Sequence, residues 1–444
     1  MDTIQLSDHF NYRRLFKFAI PSILMMVFTS IYGVVDGFFV SNFAGKTAFA
    51  AVNFIMPYIM ILGGVGFMIG TGGTALIGKT LGEGDHEKAN RLFSMLMYLT
   101  IAGGIVIGII GILTVEPVAK LFGADEDMLG LCGRYGRIVL CGTPLLMVQY
   151  EAQMYFVVAE KPKLGLYATL IAGCMNMILD AVLVGILKMG ITGAAAATVI
   201  SQVIGGGFPI IYFSSDNTSL LRLGRTTFDG RALLKTCSNG LSEFVSNISM
   251  SVVSMLYNVQ LMKYAGQSGV AVYGVLMYVN MIFIAIFIGY ATGTAPIVSF
   301  NYGAQNKDEL KSLYNKSLKI IGVFAVLMLL AGELLARPLA SIYVGYDEQL
   351  MDMTVHAFRI FSFTFMFASI PIYGSSFFTA LNNGLISALI SFLRTIVFQM
   401  GAVLILPLIW GIDGIWYSLI VAELIASALT IFFWIKEKDR YGYV

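Results

Sequence analysis

Asp36 is the residue whose chemistry most needs a reason. It stands in the last third of an apolar run, SIYGVVDGFFVSNFAG, with Tyr32 one turn before it on the same helix face. Further along, NMILDAVLVG sets Asn176 and Asp180 at i and i+4, again on one face, and AAAATVISQ contributes Thr198. A carboxylate in mid-membrane costs about 2.5–3.5 kcal/mol on insertion scales, so each such acid asks for a partner or a purpose. Two carboxylates, an amide and a hydroxyl are hard oxygen ligands of the kind a small cation takes, and acids in such places equally carry protons. If Asp36 and Asp180 approach each other, one of them is expected to hold a proton near neutral pH, because two like charges cannot share a dry site. The plainer reading is that each acid hydrogen-bonds a neighbouring helix. Spacing along the chain does not say whether the helices touch.

Other polar residues fall inside apolar runs. Glu151 is flanked by Gln149 and Gln153, and Glu243 opens the seventh run in NGLSEFVSNISM with Asn247 one turn on. With Arg394 and Tyr32 these are read as candidates for a transport pathway, and equally as structural groups. Glu423 is read as a packing partner, while Glu333 and Arg359 lie near enough to ends to snorkel. His9 and His86 fall in loops and His356 near a helix start, so no histidine relay is indicated. The four cysteines are scattered without a CxxC pair, which argues against a zinc site or a disulfide framework. Clusters among the 24 methionines and the aromatic residues are read either as lipid-facing and core positions or as the lining of an adaptable cavity for bulky apolar cations.

The elements that carry these residues must be membrane spans. Of the 444 residues 57% are hydrophobic and only 12% charged, with a mean hydropathy of +0.80. A soluble domain carries about 25% charged residues. The net charge of +2 gives no electrostatic case for nucleic acid. Apolar runs long enough to cross a bilayer number about twelve, over 15–40, 48–77, 92–114, 131–158, 164–187, 192–213, 232–261, 269–299, 316–336, 354–380, 384–409 and 412–435. They predict an all-α integral membrane protein, because barrel strands would be shorter and alternating. One set of loops and ends holds 20 of the 28 Lys and Arg residues and the opposite set holds 8. That bias places both termini in the cytoplasm, as an even number of spans requires. The first run, preceded by a short segment with neither a basic region nor a cleavage site, is read as a retained span.

The chain also repeats itself. The 49 residues from Ala44 lie over those from Ala265 without a gap, matching Gly45 with Gly266, Met60 with Met281, Thr71 with Thr292, Gly72 with Gly293, Gly82 with Gly303 and Leu92 with Leu313. The unit covers about six helices, so two lobes are expected, an N-lobe over 1–220 and a C-lobe over 221–444, related by a pseudo-two-fold axis along the membrane normal. Asp36 falls on Tyr257 in this register, so the acid is not part of the shared scaffold. No segment is large enough for an ATPase, which leaves an ion gradient or a separate subunit as the energy source.

With these pieces in place the chain resembles, across nearly its whole length, the multidrug and toxic compound extrusion (MATE) transporters. The resemblance rests on VDGFFVSNFAG in the first span, NMILDAVLVG followed by GITGAAAATVISQ in the fifth and sixth, and TAPIVSFNYGAQNKDELK after the eighth. It implies two six-helix lobes around a central cavity, and secondary export of cationic, amphipathic compounds in exchange for H⁺ or Na⁺ across the cytoplasmic membrane. It implies a cation site at Asp36, Asn176, Asp180 and Thr198, with Na⁺ there as the one metal ion expected. No other cofactor and no enzymatic activity are implied, and the partners are small organic cations and membrane lipid, with the chain read as a monomer. The seventh span departs from the family pattern, with Gly240, Leu241 and Ser242 where Gly-x-Pro is common, so a C-lobe ion site does not carry over. A flippase for lipid-linked precursors is the alternative within this architecture. It would want several basic residues in the cavity, whereas the intramembrane charges here are mostly acidic. A channel or a non-transporting scaffold is the reading from another class.

Overall fold

A computed structural model describes residues 4–121, 123–124, 126–345 and 347–444. Among them nine helices are long and apolar enough to cross a membrane, and one further pair, Glu348–Ser362 with Thr364–Ala380, passes the same test as a single span bent by 45°. The helical stretch Gly230–Gly303 holds 74 residues. At 1.5 Å per residue it is far too long for one crossing, and Gly266, at φ 59° and ψ −151°, breaks it in two. Glu126–Cys141 and Thr143–Val158 make one span interrupted at Gly142, the counterpart of the bent pair. Twelve spans result among the described residues, as the apolar runs predict.

In chain order they are α1 (Tyr12–Ala44), α2 (Lys46–Gly82), α3 (His86–Leu121), α4 (126–158), α5 (Pro162–Ile186), α6 (Gly190–Ser214), α7 (230–265), α8 (267–303), α9 (Lys307–Val344), α10 (348–380), α11 (Gly384–Ile405) and α12 (Pro407–Tyr441). In lipid the backbone must satisfy its own hydrogen bonds, which is why the apolar runs are helical. Several helices outlast those runs: α3 and α9 continue well past 92–114 and 316–336. Hydropathy marks where lipid begins, whereas capping decides where a helix ends. The Asn11 and Asn306 side chains accept from Arg14 and Glu309 amides to start α1 and α9, and Asp229 accepts from Arg231 and Ala232 to start α7.

The N-lobe (α1–α6) and C-lobe (α7–α12) meet chiefly where α2 and α1 run along α7 and α8. Gly72 lies against the Thr236 carbonyl and Gly240 against that of Met68, so a Cβ at either position would collide with the other helix's backbone. Nearby, Asn382 donates to the Ala75 carbonyl at 2.9 Å and accepts from Asn239 at 2.8 Å, tying α2 to α7 and to the α10–α11 turn. These ties fall in the halves of α2 and α7 nearest the two termini.

Within α2, Gly73–Thr80 has the Gly-xxxx-Gly-Lys-Thr spacing of a phosphate-binding loop. It is unbroken helix, with Gly73 packed under the Tyr155 hydroxyl, so its amides are spent on the helical ladder and form no phosphate cradle.

Candidate functional site

Two helices of the N-lobe loosen where their acids sit. α1 passes into a π-helical turn at Val40–Ala44, just after Asp36, and α5 does so at Asp180–Ile186, beginning at the acid itself. A π segment changes the register of the backbone ladder and recurs at functional sites. The approach of α1 to α5 depends on Gly173, whose missing side chain leaves room for the Phe28 and Tyr32 rings. One turn beyond Tyr32, the Asp36 carboxyl faces the Asp180 carboxyl within hydrogen-bonding range.

The surroundings of this pair are oxygen-rich and carry no positive charge. Asp180 is fully buried and Asn176 nearly so, one turn earlier on the same face. Thr198 comes from α6, its hydroxyl donating to the Ala194 carbonyl at 3.0 Å. Tyr135 of α4, also fully buried, brings its phenol up to Thr198 and stands within electrostatic reach of both acids. Among the described residues no donor reaches Asp36 Oδ1 or either oxygen of Asp180, and neither acid forms an ion pair with a Lys, Arg or His. Burial of this kind without a counter-charge is costly for two carboxylates, and a proton or a small cation between them would relieve that cost. Tyr135 escapes sequence reasoning because GRYGRIV gives no sign that its ring turns towards α6.

A second feature lies between the lobes: a cavity of about 170 Å³ lined by Met26, Phe67 and Met154 from the N-lobe and by Glu243, Asn247 and Ile288 from the C-lobe. Glu243 does not open its helix, contrary to the reading of NGLSEFVSNISM. α7 starts several turns earlier at its Asp229 cap, and Asn239, four residues before Glu243, is bonded to Asn382. Asn247 donates to the Glu243 carbonyl at 2.9 Å, which leaves its side-chain oxygen to the cavity.

The other candidates separate from these two sites. Arg394, in a π segment of α11, grips Glu423 of α12 with Nε 2.9 Å from both carboxylate oxygens and Nη2 2.8 Å from one. Gln399 adds a bond to the same acid at 3.3 Å. Glu151 is fully enclosed beside Thr100 and Tyr155, away from the cavity. At the place equivalent to Asp36, the Tyr257 hydroxyl bonds Ser418 at 2.7 Å, so the C-lobe holds no matching acid pair there.

Comparisons with known proteins agree with the two-lobe helical fold. The MatE family model matches residues 21–182 and 244–404, one stretch in each lobe. A "Multidrug export protein MepA" from Staphylococcus aureus (strain MRSA252) is 23% identical over 436 residues, covering 97% of this chain and 94% of the relative. Another of the same name from Staphylococcus haemolyticus is 22% identical over 433 residues, covering 97% and 94%. Among solved structures, an outward-facing conformation of a multidrug resistance MATE family transporter of the MOP superfamily superposes with a TM-score of 0.93 at 21% identity, covering 100% of this chain and 99% of that one. A MOP superfamily transporter from Pyrococcus furiosus, described as having a binding pocket of reverse polarity, gives 0.91 at 22% identity, covering 99% of both chains.

Proposed function

Because this chain belongs to the MatE family, we propose that it is a secondary antiporter that exports amphipathic organic cations in exchange for H⁺ or Na⁺. The family is one of multi-pass membrane exporters and not of enzymes, and drug efflux is the activity the kinship carries. The observation behind the coupling is the Asp36–Asp180 pair, held together without a counter-cation and with oxygens that no protein donor satisfies. Binding H⁺ or Na⁺ there, with Asn176 and Thr198 completing the oxygen set, lowers the electrostatic cost of closing α1 onto α5. An ion shifts the equilibrium between two states only by binding them with different affinity. The π segments beside both acids are where such a difference can arise.

The cargo is read as meeting the cavity between the lobes. Methionines and aromatic rings suit bulky apolar bodies, and Glu243 supplies a negative charge that favours a cation. Arg394 is held by Glu423, and no Lys or Arg stands among the described residues that line the cavity, which counts against the flippase alternative. The positive-inside bias supports the cytoplasmic membrane of a bacterium as its place, with both termini in the cytoplasm.

Dye efflux from vesicles, driven separately by a pH gradient and a Na⁺ gradient, tests the proposal with wild type beside Asp36→Asn. One gradient is expected to drive wild-type efflux, and neither should drive the variant although it inserts and folds. Full export by Asp36→Asn would reject the coupling site.

A further inference from the structure

The segment before α1 is bound to both lobes. Leu6 donates its amide to Glu160 Oε1 at 2.6 Å, in the turn between α4 and α5 of the N-lobe. Four residues later the chain reaches the C-lobe, where Glu309, in the first turn of α9, accepts from the Phe10 amide at 2.9 Å and meets His9 Nδ1 at 2.6 Å. Lys316, two turns further along α9, donates to the Phe10 carbonyl and to Ser312. Leu6 and Phe10 are fully buried, and Phe10 sets its ring edge-on to Phe18 at 5.9 Å. An arm that merely trailed from the membrane would stay in water with its amides solvated. This one buries two large apolar side chains and spends both oxygens of Glu309, itself 6% exposed, on its own backbone and imidazole.

We propose that residues 4–11 are a strap between the lobes, fastened at Glu309, that holds the face carrying the termini shut and must release each time that face opens. The geometry requires the release. α1, α4 and α5 belong to one lobe and α9 to the other, so parting them at this face pulls Glu309 from the arm or the arm from Glu160. A contact made in only one of two states biases the equilibrium towards that state by its own free energy. Hydrogen bonds to a buried carboxylate are worth enough to shift such an equilibrium about tenfold. The strap is independent of which ion couples and of what is exported, so the labelling arms of its test need neither.

The test uses the full chain with Cys132, Cys141, Cys174 and Cys237 replaced by alanine and one reporter cysteine placed in the cavity wall by Thr71→Cys. A membrane-impermeant maleimide is added from the face at which a C-terminal tag is accessible. Labelling is expected to run about tenfold faster in Glu309→Ala, and as fast or faster when residues 1–10 are deleted. Glu309→Gln, which still accepts from the Phe10 amide, should fall between. As a converse arm, His9→Cys with Glu309→Cys, joined by a reducible bifunctional thiol reagent, is expected to label slowly and to stop dye export until reductant is added. Unchanged labelling in both the Glu309→Ala and the deleted protein, or full export by the cross-linked one, would overturn the strap. A failure of Asp36→Asn to abolish efflux would leave it standing.

Discussion

Gly82 of α2 and Gly303 of α8 cross back to back, each set against the carbonyl three residues before the other: Gly82 on Phe300, Gly303 on Lys79. The two glycines hold the same place in the two repeats, and so do Lys79 and Phe300. A reciprocal contact between equivalent residues marks the pseudo-two-fold axis, which passes between these helices near the face that carries the termini. Gly72 and Gly293 extend the relationship, since they too are equivalent and they pack on α7 and α1 respectively.

Gly82→Ala is therefore expected to be costly despite its small size, because the added methyl meets backbone that cannot rotate away. Overpacking of this kind costs about 1–3 kcal/mol. Thermal unfolding in detergent should show a lower midpoint for Gly82→Ala and for Gly303→Ala alike. Gly103→Ala, with open space around it, should change nothing.

The carboxyl pair is expected to act as a unit. Asp36→Asn and Asp180→Asn should each reduce ion-driven dye efflux at least tenfold, and the double variant should be no worse than either single one, since residues sharing one site are not additive. Transport assays on equal amounts of membrane-inserted protein measure this. Independent, multiplying losses would show that the two acids work separately.

Arg394 and Glu423 are predicted to be structural. Removing one partner of a buried ion pair costs about 3–5 kcal/mol, whereas replacing both by apolar residues is often neutral. Arg394→Met alone should lower the unfolding midpoint sharply, and Arg394→Met with Glu423→Leu should recover most of it. A stable single variant would return Arg394 to the pathway.

Glu243 faces the cavity, so Glu243→Gln should raise the half-saturating concentration of a monocationic dye about tenfold, the equivalent of about 1.4 kcal/mol. A neutral substrate of the same size should be unaffected. Equal losses for both would assign the residue to packing.

Outside the membrane, burial lifts the Glu160 carboxyl above its ordinary range, with the Leu6 amide opposing. A folded value above the unfolded one means that protonation favours the folded state, so this contribution is complete below the ordinary glutamate range and is lost as pH rises through the raised value. Unfolding midpoints measured across that window should decline more steeply in wild type than in Glu160→Gln.

Much of this was legible in the chain. The twelve spans, the two repeats and the identity of Asp36, Asn176, Asp180 and Thr198 as polar residues in apolar runs follow from transfer energetics, which act on each segment by itself. The place of Glu243 was misread, because the polar NGLS run resembles a helix start. In the fold α7 already runs from its Asp229 cap, and Asn239 bonds Asn382 across helices instead of capping.

Which residues meet was not in the sequence. Whether Asp36 faces Asp180, whether Arg394 is free or gripped, and whether the arm before α1 hangs loose or fastens two lobes all depend on how helices rotate and cross. Those choices are set by glycines that admit a neighbour's backbone and by π turns that alter the register. Hydropathy assigns a residue to lipid depth, but it carries no information about the azimuth of one helix against the next, and that azimuth is what turns scattered acids into a site.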